Sequence, residues 1–233
     1  MRCLARKANG LVRRRRAGHL PSAGMDPFDT AISSETELRA LYEEPIPTAL
    51  RKDIGRLDEL CRRLIAASPM VLVGSVDGDG RADVSPRGGP PGFVRVLDER
   101  HLAIPDATGN RRLDTLANIV ASGRAGLLFL IPGRDTTLRA SGRACVSADE
   151  GLLALLEPVG KPPRSALVVA VEEVFAHCPK AFIRSQLWDP ASWPEPETLP
   201  TSADVSHAHL RDPALTVADV AAQQRESVLH RLA

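Results

Sequence analysis

Three stretches of the chain carry side chains suited to an anionic or flat ligand. In "AIPDATGNRRLDTLANIVASG", residues 103–123, Asn110, Arg111 and Arg112 stand where a small polar loop runs into a helix-spaced segment. The first N–H groups of a helix lack internal acceptors and sit at the positive end of its dipole, so they attract anions. Asn110 is placed to cap there, and the two guanidiniums add forked donors that match phosphate oxygens. Dipole logic alone favours acidic residues at that end, so two cations make better sense with an anion between them. A solvated helix start is the plainer reading of the same residues.

The second stretch is "DVSPRGGPPG", in which Asp83, Ser85 and Arg87 occupy alternate positions and share one face of a strand. Gly88 and Gly89 then let the backbone approach a flat ligand closely, or simply begin a Gly/Pro loop. The third, "TTLRASGRA", alternates Thr137, Arg139 and Ser141, a pattern that a solvent-facing strand also produces. Further on, "HCPKAFIRSQLW" spaces Lys180, Arg184 and Trp188 at i, i+4 and i+8. On a continuous helix these would line one face, fit for an anionic substrate, a partner subunit or plain solvent.

Elements able to position these groups follow from the pattern. "SSETELRALY" opens with an S-x-x-E cap at Ser34 and Glu37 and predicts a short helix. Leu50, Ile54, Leu57, Leu60, Leu64 and Ile65 predict one helix over about residues 48–67. "MVLVGSV" and "RADVSPR" predict a hairpin around "DGDG", and "FVRVL" and "HLAIP" a second around "DER". After the loop, Leu113, Leu116, Ala117 and Val120 predict an apolar helix stripe that Gly123 ends. "AGLLFLI" and "TLRASGRACVS" make a third strand pair; Ser147 and Glu150 predict a cap before "GLLALL". "ALVVAVEEVFAHC" is a late strand before a helix near Pro179. Residues 196–215 read as surface loop, with a terminal helix over 216–232. Six or so strands in sequential antiparallel pairs argue for a small barrel carrying helices, and against a βαβ sheet.

Composition narrows the function classes. Seven of the 30 basic side chains fall in residues 1–24, where no acidic one occurs, so the remaining 23 stand against 29 acidic ones. That arginine-rich segment is expected to be a disordered tail, with Met25 as an alternative start. The rest lacks the basic surface of a nucleic-acid binder. No apolar run is long enough to span a membrane. Cys3, Cys61, Cys145 and Cys178 are scattered, which suits a reducing, cytoplasmic setting. His207 and His209 form an HxH with no further ligand cluster nearby, so no metal site is expected. The expected organisation is a tail over 1–24, one folded domain with N-terminal helices over 25–195, and a loop with a C-terminal helix over 196–233.

The order "SPRGG", hairpin, "IPDATGNRRLDTL", then "LLFLIPGRDTTLRASGRA" resembles the pyridoxamine 5′-phosphate oxidase-like flavoproteins. The resemblance covers roughly residues 48–190, with 70–146 its specific part. It implies a mainly β fold with helices, an antiparallel split β-barrel, paired as a homodimer with FMN in clefts at the subunit interface. It also implies that Asn110, Arg111 and Arg112 hold the FMN phosphate and that Ser85, Arg87 and Gly88 pass the phosphate, ribityl chain and ring edge. Ile104 and Pro105 match strand-end residues against the flavin. Thr137 stands where many members carry a glutamine contact; Arg139 follows it, and Gly142 keeps the family's glycine.

Two departures point away from pyridoxamine phosphate as substrate: Ser85 replaces an arginine of the vitamin oxidase, and that enzyme's basic C-terminal segment has no counterpart. The implied function is an FMN-dependent oxidoreductase exchanging hydride between flavin N5 and a small molecule, with a cation such as Arg87 favouring the anionic reduced ring. No catalytic residue is assigned. The alternatives are a deazaflavin F420-dependent reductase and a non-catalytic flavin or haem binder; nucleic acid is favoured only by the arginine tail.

Overall fold

The computed structural model describes residues 26–107 and 109–231 and divides the chain into two units, 1–46 and 47–233. The arginine-rich segment expected as a tail lies outside the described residues. In the first unit a single turn of 3-10 helix, Pro27–Thr30, is followed by α1, Glu35–Arg39. Ser34 Oγ accepts the Glu37 N–H at 3.2 Å, as the S-x-x-E pattern predicts, while the Glu37 carboxylate reaches back to the Ser33 N–H at 3.0 Å.

The second unit departs from the helical spacing at its start. The helix expected over 48–67 is two short ones, α2 (Pro47–Arg51) and α3 (Glu59–Ala67). The intervening backbone bonds elsewhere in the fold: Leu57 N–H donates to Glu99 O at 2.7 Å, and Asp53 Oδ1 accepts from Val174 N–H at 2.9 Å. Gly55 turns the chain at φ +59. Leu57 and Ile65 are buried, whereas Leu50 and Leu60, counted in the same stripe, are exposed.

Seven antiparallel strands follow: β1 (Met70–Val76), β2 (Ala82–Gly88), β3 (Arg95–Val96), β4 (His101–Pro105), β5 (Arg124–Leu130), β6 (Thr137–Ser147) and β7 (Ala166–His177). Their order in the single sheet is β2-β1-β5-β6-β7-β4-β3. All three predicted hairpins form, and the alternation of β1 and β5 sends Val71, Val73, Leu127 and Phe129 into one core with Leu102, Ile104, Leu138 and Val169. The architecture is the expected antiparallel split barrel with added helices.

One irregularity shapes it. Between β6 and β7 the register passes from Ser141↔Glu173 to Gly142↔Val171, leaving Glu172 as the extra residue of a bulge. A Cβ on Gly142 would collide with the Ala170 carbonyl oxygen, so only glycine fits. The adjacent Glu172 and Glu173 both reach the surface, where they meet Arg124 at 2.8 Å and Arg139 at 3.9 Å.

Helix α4 (Asp114–Ser122) connects β4 to β5 and packs on β1, β2 and β6, and Gly123 ends it at φ +68 as expected. Its buried face is Thr115, Leu116 and Ile119, so of the predicted stripe Leu116 alone is buried: Leu113, Ala117 and Val120 are exposed. The helix begins three residues later than Arg111, and polar Thr115 and Asn118 hold its inner side to the sheet, so apolar spacing alone misplaced the phase. The cap expected at Ser147 belongs to Asp149, whose carboxylate accepts from Leu152 N–H ahead of α5 (Glu150–Leu153). Short α6 (Lys180–Ser185) follows Pro179. Within the expected loop over 196–215 stands a helix, α7 (Ser202–Leu210), paired with the predicted terminal helix α8 (Val217–Arg231). Both start from T-x-x-D caps, Thr201 with Asp204 and Thr216 with Asp219. Among the described residues no helix is long and apolar enough to cross a membrane.

Two outcomes test this description. Gly142→Ala is expected to lose about 2–3 kcal/mol of stability in urea unfolding, because the new methyl meets backbone that cannot yield. Asp58 caps α3 through the Cys61 N–H at 2.8 Å, and that bond holds its carboxyl below the ordinary 3.8. Its stabilisation is therefore present above that value and lost as pH falls through the lower folded one. Asp58→Ala should cost about 1 kcal/mol at neutral pH, with the gap from wild type closing in acid.

Candidate functional site

The edge strand β2 alternates as predicted. Asp83, Ser85 and Arg87 pair in register with Ser75, Val73 and Val71, whose side chains are buried, so all three face inward and are half-buried. Gly88 lies one position beyond, on the outward side. Two hydrogen bonds fasten α4 along this face. Thr115 Oγ1 donates to Asp83 Oδ2 at 2.8 Å, and Asn118 Nδ2 donates to Ser75 Oγ at 3.1 Å.

The loop from β4 to α4 meets the same face. Asp106 continues the sheet by donating its N–H to Ser165 O at 2.9 Å, and its carboxylate accepts from Arg87 Nη1 at 3.2 Å. Both side chains of this pair are about four-fifths buried, at 23% and 21% exposure. Asn110 does not cap α4, as the sequence suggested. Its Oδ1 accepts the Arg112 N–H at 3.0 Å in a turn ahead of the helix. Arg111 (φ 65) and Leu113 (φ 60) adopt the left-handed conformation, two of four such non-glycine residues among those described. Leu113 occupies the N-cap position of α4 with no side-chain cap hydrogen bond.

That geometry resolves the conflict between the arginines and the helix dipole. Arg112 Nε bonds Asp114 Oδ2 at 2.8 Å, so an acidic residue does stand in the first turn and balances it. Arg87 is balanced by Asp106. Among the described residues Arg111 makes no ion pair, and it sits exposed beside a helix start that no side chain closes. The arrangement is suited to holding an oxyanion.

The other expected residues form separate surroundings. Ile104 belongs to the barrel core, and Pro105 is buried opposite Ala166. Thr137 is buried at the start of β6, whereas Arg139 faces outward over the Phe175 ring at 5.5 Å. Lys52 Nζ lies 4.9 Å from the same ring. Lys180, Arg184 and Trp188 do not share a helix face, because Gln186 takes a left-handed conformation and α6 stops at Ser185. Arg184 Nε donates to Lys180 O, while Trp188 stacks on Phe182 and donates to Arg134 O at 2.9 Å. Ser85, Arg87, Asn110, Arg111 and Arg112 thus gather at β2 and the loop. Thr137, Arg139 and Trp188 gather at the beginning of β6. Among the described residues no cluster of His, Cys, Asp or Glu could hold a metal.

Asp83, which the sequence marked beside Ser85 and Arg87, carries the local geometry together with Thr115 and Asp106, which the sequence reading missed. Asp106 left one signal, a lone carboxylate directly after a buried strand and before a loop of cations.

Residues 57–178, just over half of the chain, match the family described as pyridoxamine 5′-phosphate oxidase. Among solved structures, HupZ of Group A Streptococcus is 18% identical over 51% of this chain and 92% of that one, at a TM-score of 0.43. A Lactobacillus delbrueckii protein named for pyridoxamine 5′-phosphate oxidase is 24% identical over 53% and 98%, at 0.41. HutZ of Vibrio cholerae, named as a haem storage protein, is 11% identical over 52% and 94%, at 0.36. No curated protein matches the chain.

The link between α4 and β2 can be tested directly. Thr115→Val keeps the shape and removes the donor to Asp83, leaving a half-buried carboxylate with one partner fewer. The expected loss is about 1–2 kcal/mol in urea unfolding, with faster amide exchange concentrated in residues 114–122.

Proposed function

The chain belongs to the pyridoxamine 5′-phosphate oxidase-like family, and from that membership we propose that it is an FMN-dependent oxidoreductase working as a homodimer on a small molecule. The observation that carries this reading is the start of α4, a nine-residue helix without a side-chain cap, flanked by Arg111 and Arg112 and facing a strand that presents Arg87. FMN ends in a phosphate monoester, and free helix N–H groups with guanidinium forks are the donor set that such an oxyanion takes.

In this reading Arg111, Arg112 and the α4 N-terminus hold the phosphate, with Asn110 shaping the turn that presents them. Ser85 and Arg87 follow along the inward face of β2, while Gly88, on the outward side, continues the strand beyond them. Ile104 and Pro105 form the buried strand end from which the loop departs. When bound, FMN supplies two-electron redox chemistry at its isoalloxazine ring, and the protein orients that ring and excludes side reactions.

A second copy accounts for the remaining residues. Thr137, Arg139, Lys180, Arg184 and Trp188 lie around β6 and β7, without a hydrogen bond or ion pair to the first group among the described residues. A cleft between two copies would bring one protomer's β2 and loop against its partner's β6 region. Arg139, held over Phe175 and near Glu173, would then offer a cation to the ring or to an anionic substrate.

Arg111→Ala with Arg112→Ala is expected to weaken FMN about 100-fold, or roughly 2.7 kcal/mol, and riboflavin by less than about threefold. Both affinities are read by quenching of flavin fluorescence. Equal losses for the two ligands would remove the phosphate from this loop. A wild-type protein that refuses FMN yet takes up F420 or haem would overturn the choice of cofactor.

A further inference from the structure

The Arg87–Asp106 pair has a one-sided geometry. A single guanidinium nitrogen, Nη1, meets a single carboxylate oxygen at 3.2 Å, and among the described residues Arg87 makes no other side-chain hydrogen bond. An arginine whose task was only to neutralise a buried acid would gain most from the two-point, fork-to-fork contact. Here one corner of the guanidinium is fixed, and the remaining donors stay uncommitted on the inward face of β2.

The fixing point is itself rigid. Asp106 is held at the end of β4 by its backbone bond to Ser165 O. With the main chain anchored there, its short side chain ranges far less than the long arginine chain, so the pair is made chiefly by the arginine coming to the carboxylate. A free arginine side chain loses about 2 kcal/mol of rotamer freedom on being ordered. A post that has already ordered it removes that cost from ligand binding.

We propose that Asp106 is a positioning residue: it holds the Arg87 guanidinium so that its open edge receives a phosphate oxygen of the bound cofactor. This inference rests on the FMN reading above and adds to it a residue that would not touch the ligand. Two carboxylates then prepare the β2 face, Asp83 by fixing α4 through Thr115 and Asp106 by fixing Arg87. The obvious competing role is opposite in sign, with Asp106 acting as a resident anion that the phosphate must displace.

Asp106→Ala and the near-isosteric Asp106→Asn separate these roles. The expected result is a loss of FMN affinity of about tenfold for the alanine variant and a smaller loss for asparagine, which keeps an acceptor oxygen. Riboflavin affinity should stay within about twofold in both. In parallel, the Arg87 Nε–H signal of the ligand-free protein, followed by NMR relaxation, should be ordered in wild type and mobile in the alanine variant. Tighter FMN binding by either variant would make Asp106 a competitor and overturn the proposal. So would an Arg87 signal that stays ordered without Asp106, or equal losses for FMN and riboflavin. The NMR measurement needs no flavin, so failure of wild type to bind FMN would count against the cofactor and leave the Asp106 result to be judged by itself.

Discussion

Closure of the sheet on itself is the constraint from which the candidate site follows. In the strand order, β4 stands five places from β2, about 24 Å away in a flat sheet. The side chains of Arg87 on β2 and Asp106 after β4 nevertheless meet at 3.2 Å. That distance exceeds the joint reach of an arginine and an aspartate, so the sheet must curl until its two ends approach. Two features promote the curl. Inward side chains from β1, β4, β5, β6 and β7 share a single core, and the bulge at Gly142 and Glu172 sharpens the bend between β6 and β7. The ion pair reports closure and does not drive it, because the desolvation of two largely buried charges offsets most of what one single-point contact gains.

Once closed, the barrel leaves β2 with its inward face turned to the loop that α4 must cross. The chain leaves β4, passes Asp106 and the three polar residues 110–112, and returns along α4 to β5. Asp83 and Thr115 hold the start of α4 beside β2, and Gly123 turns its end into the sheet. The curled sheet brings the loop after β4 to Arg87, and the fastened helix fixes where Arg111 and Arg112 leave it. Arg87 and Arg112 each carry a carboxylate partner, Asp106 and Asp114.

The strands were legible in the sequence because period-two burial survives in β1, β2 and β5, while β4, buried at four successive positions, shows itself as a short apolar run instead. The Gly142 position, too, could be marked in advance, although the reason for it, a collision with the Ala170 carbonyl, exists only in the paired structure. The helices were less legible. Residues 48–67 keep helical spacing, but Asp53 and Ile54 bond to β7 and Leu57 to the β3–β4 turn, and tertiary contacts overrode periodicity. The α7 helix has no apolar stripe to announce it, since Ala203 is its one buried residue, and its T-x-x-D cap stands inside a proline-rich stretch. For the site, the loop of Asn110, Arg111 and Arg112 was identified but its helix start was placed three residues early. No local pattern announces that Arg111 and Leu113 adopt left-handed backbone.

That backbone changes what the arginines mean. Non-glycine residues in the left-handed region cost of order 1 kcal/mol each, and they persist only where surrounding structure fixes them. Here the Asn110 turn on one side and the α4 anchor on the other impose the conformation. A regular entry into α4 would place Asn110 as its cap and close the first N–H groups with a side chain. The strained entry instead leaves that end without a side-chain cap and moves the cap-forming residue into the turn. A helix start relieved of its own acceptor, with one arginine paired to the helix and one left unpaired, keeps its donors available to an external oxyanion. The cost in backbone strain is therefore tied to the same local change that leaves the start of α4 without a side-chain cap.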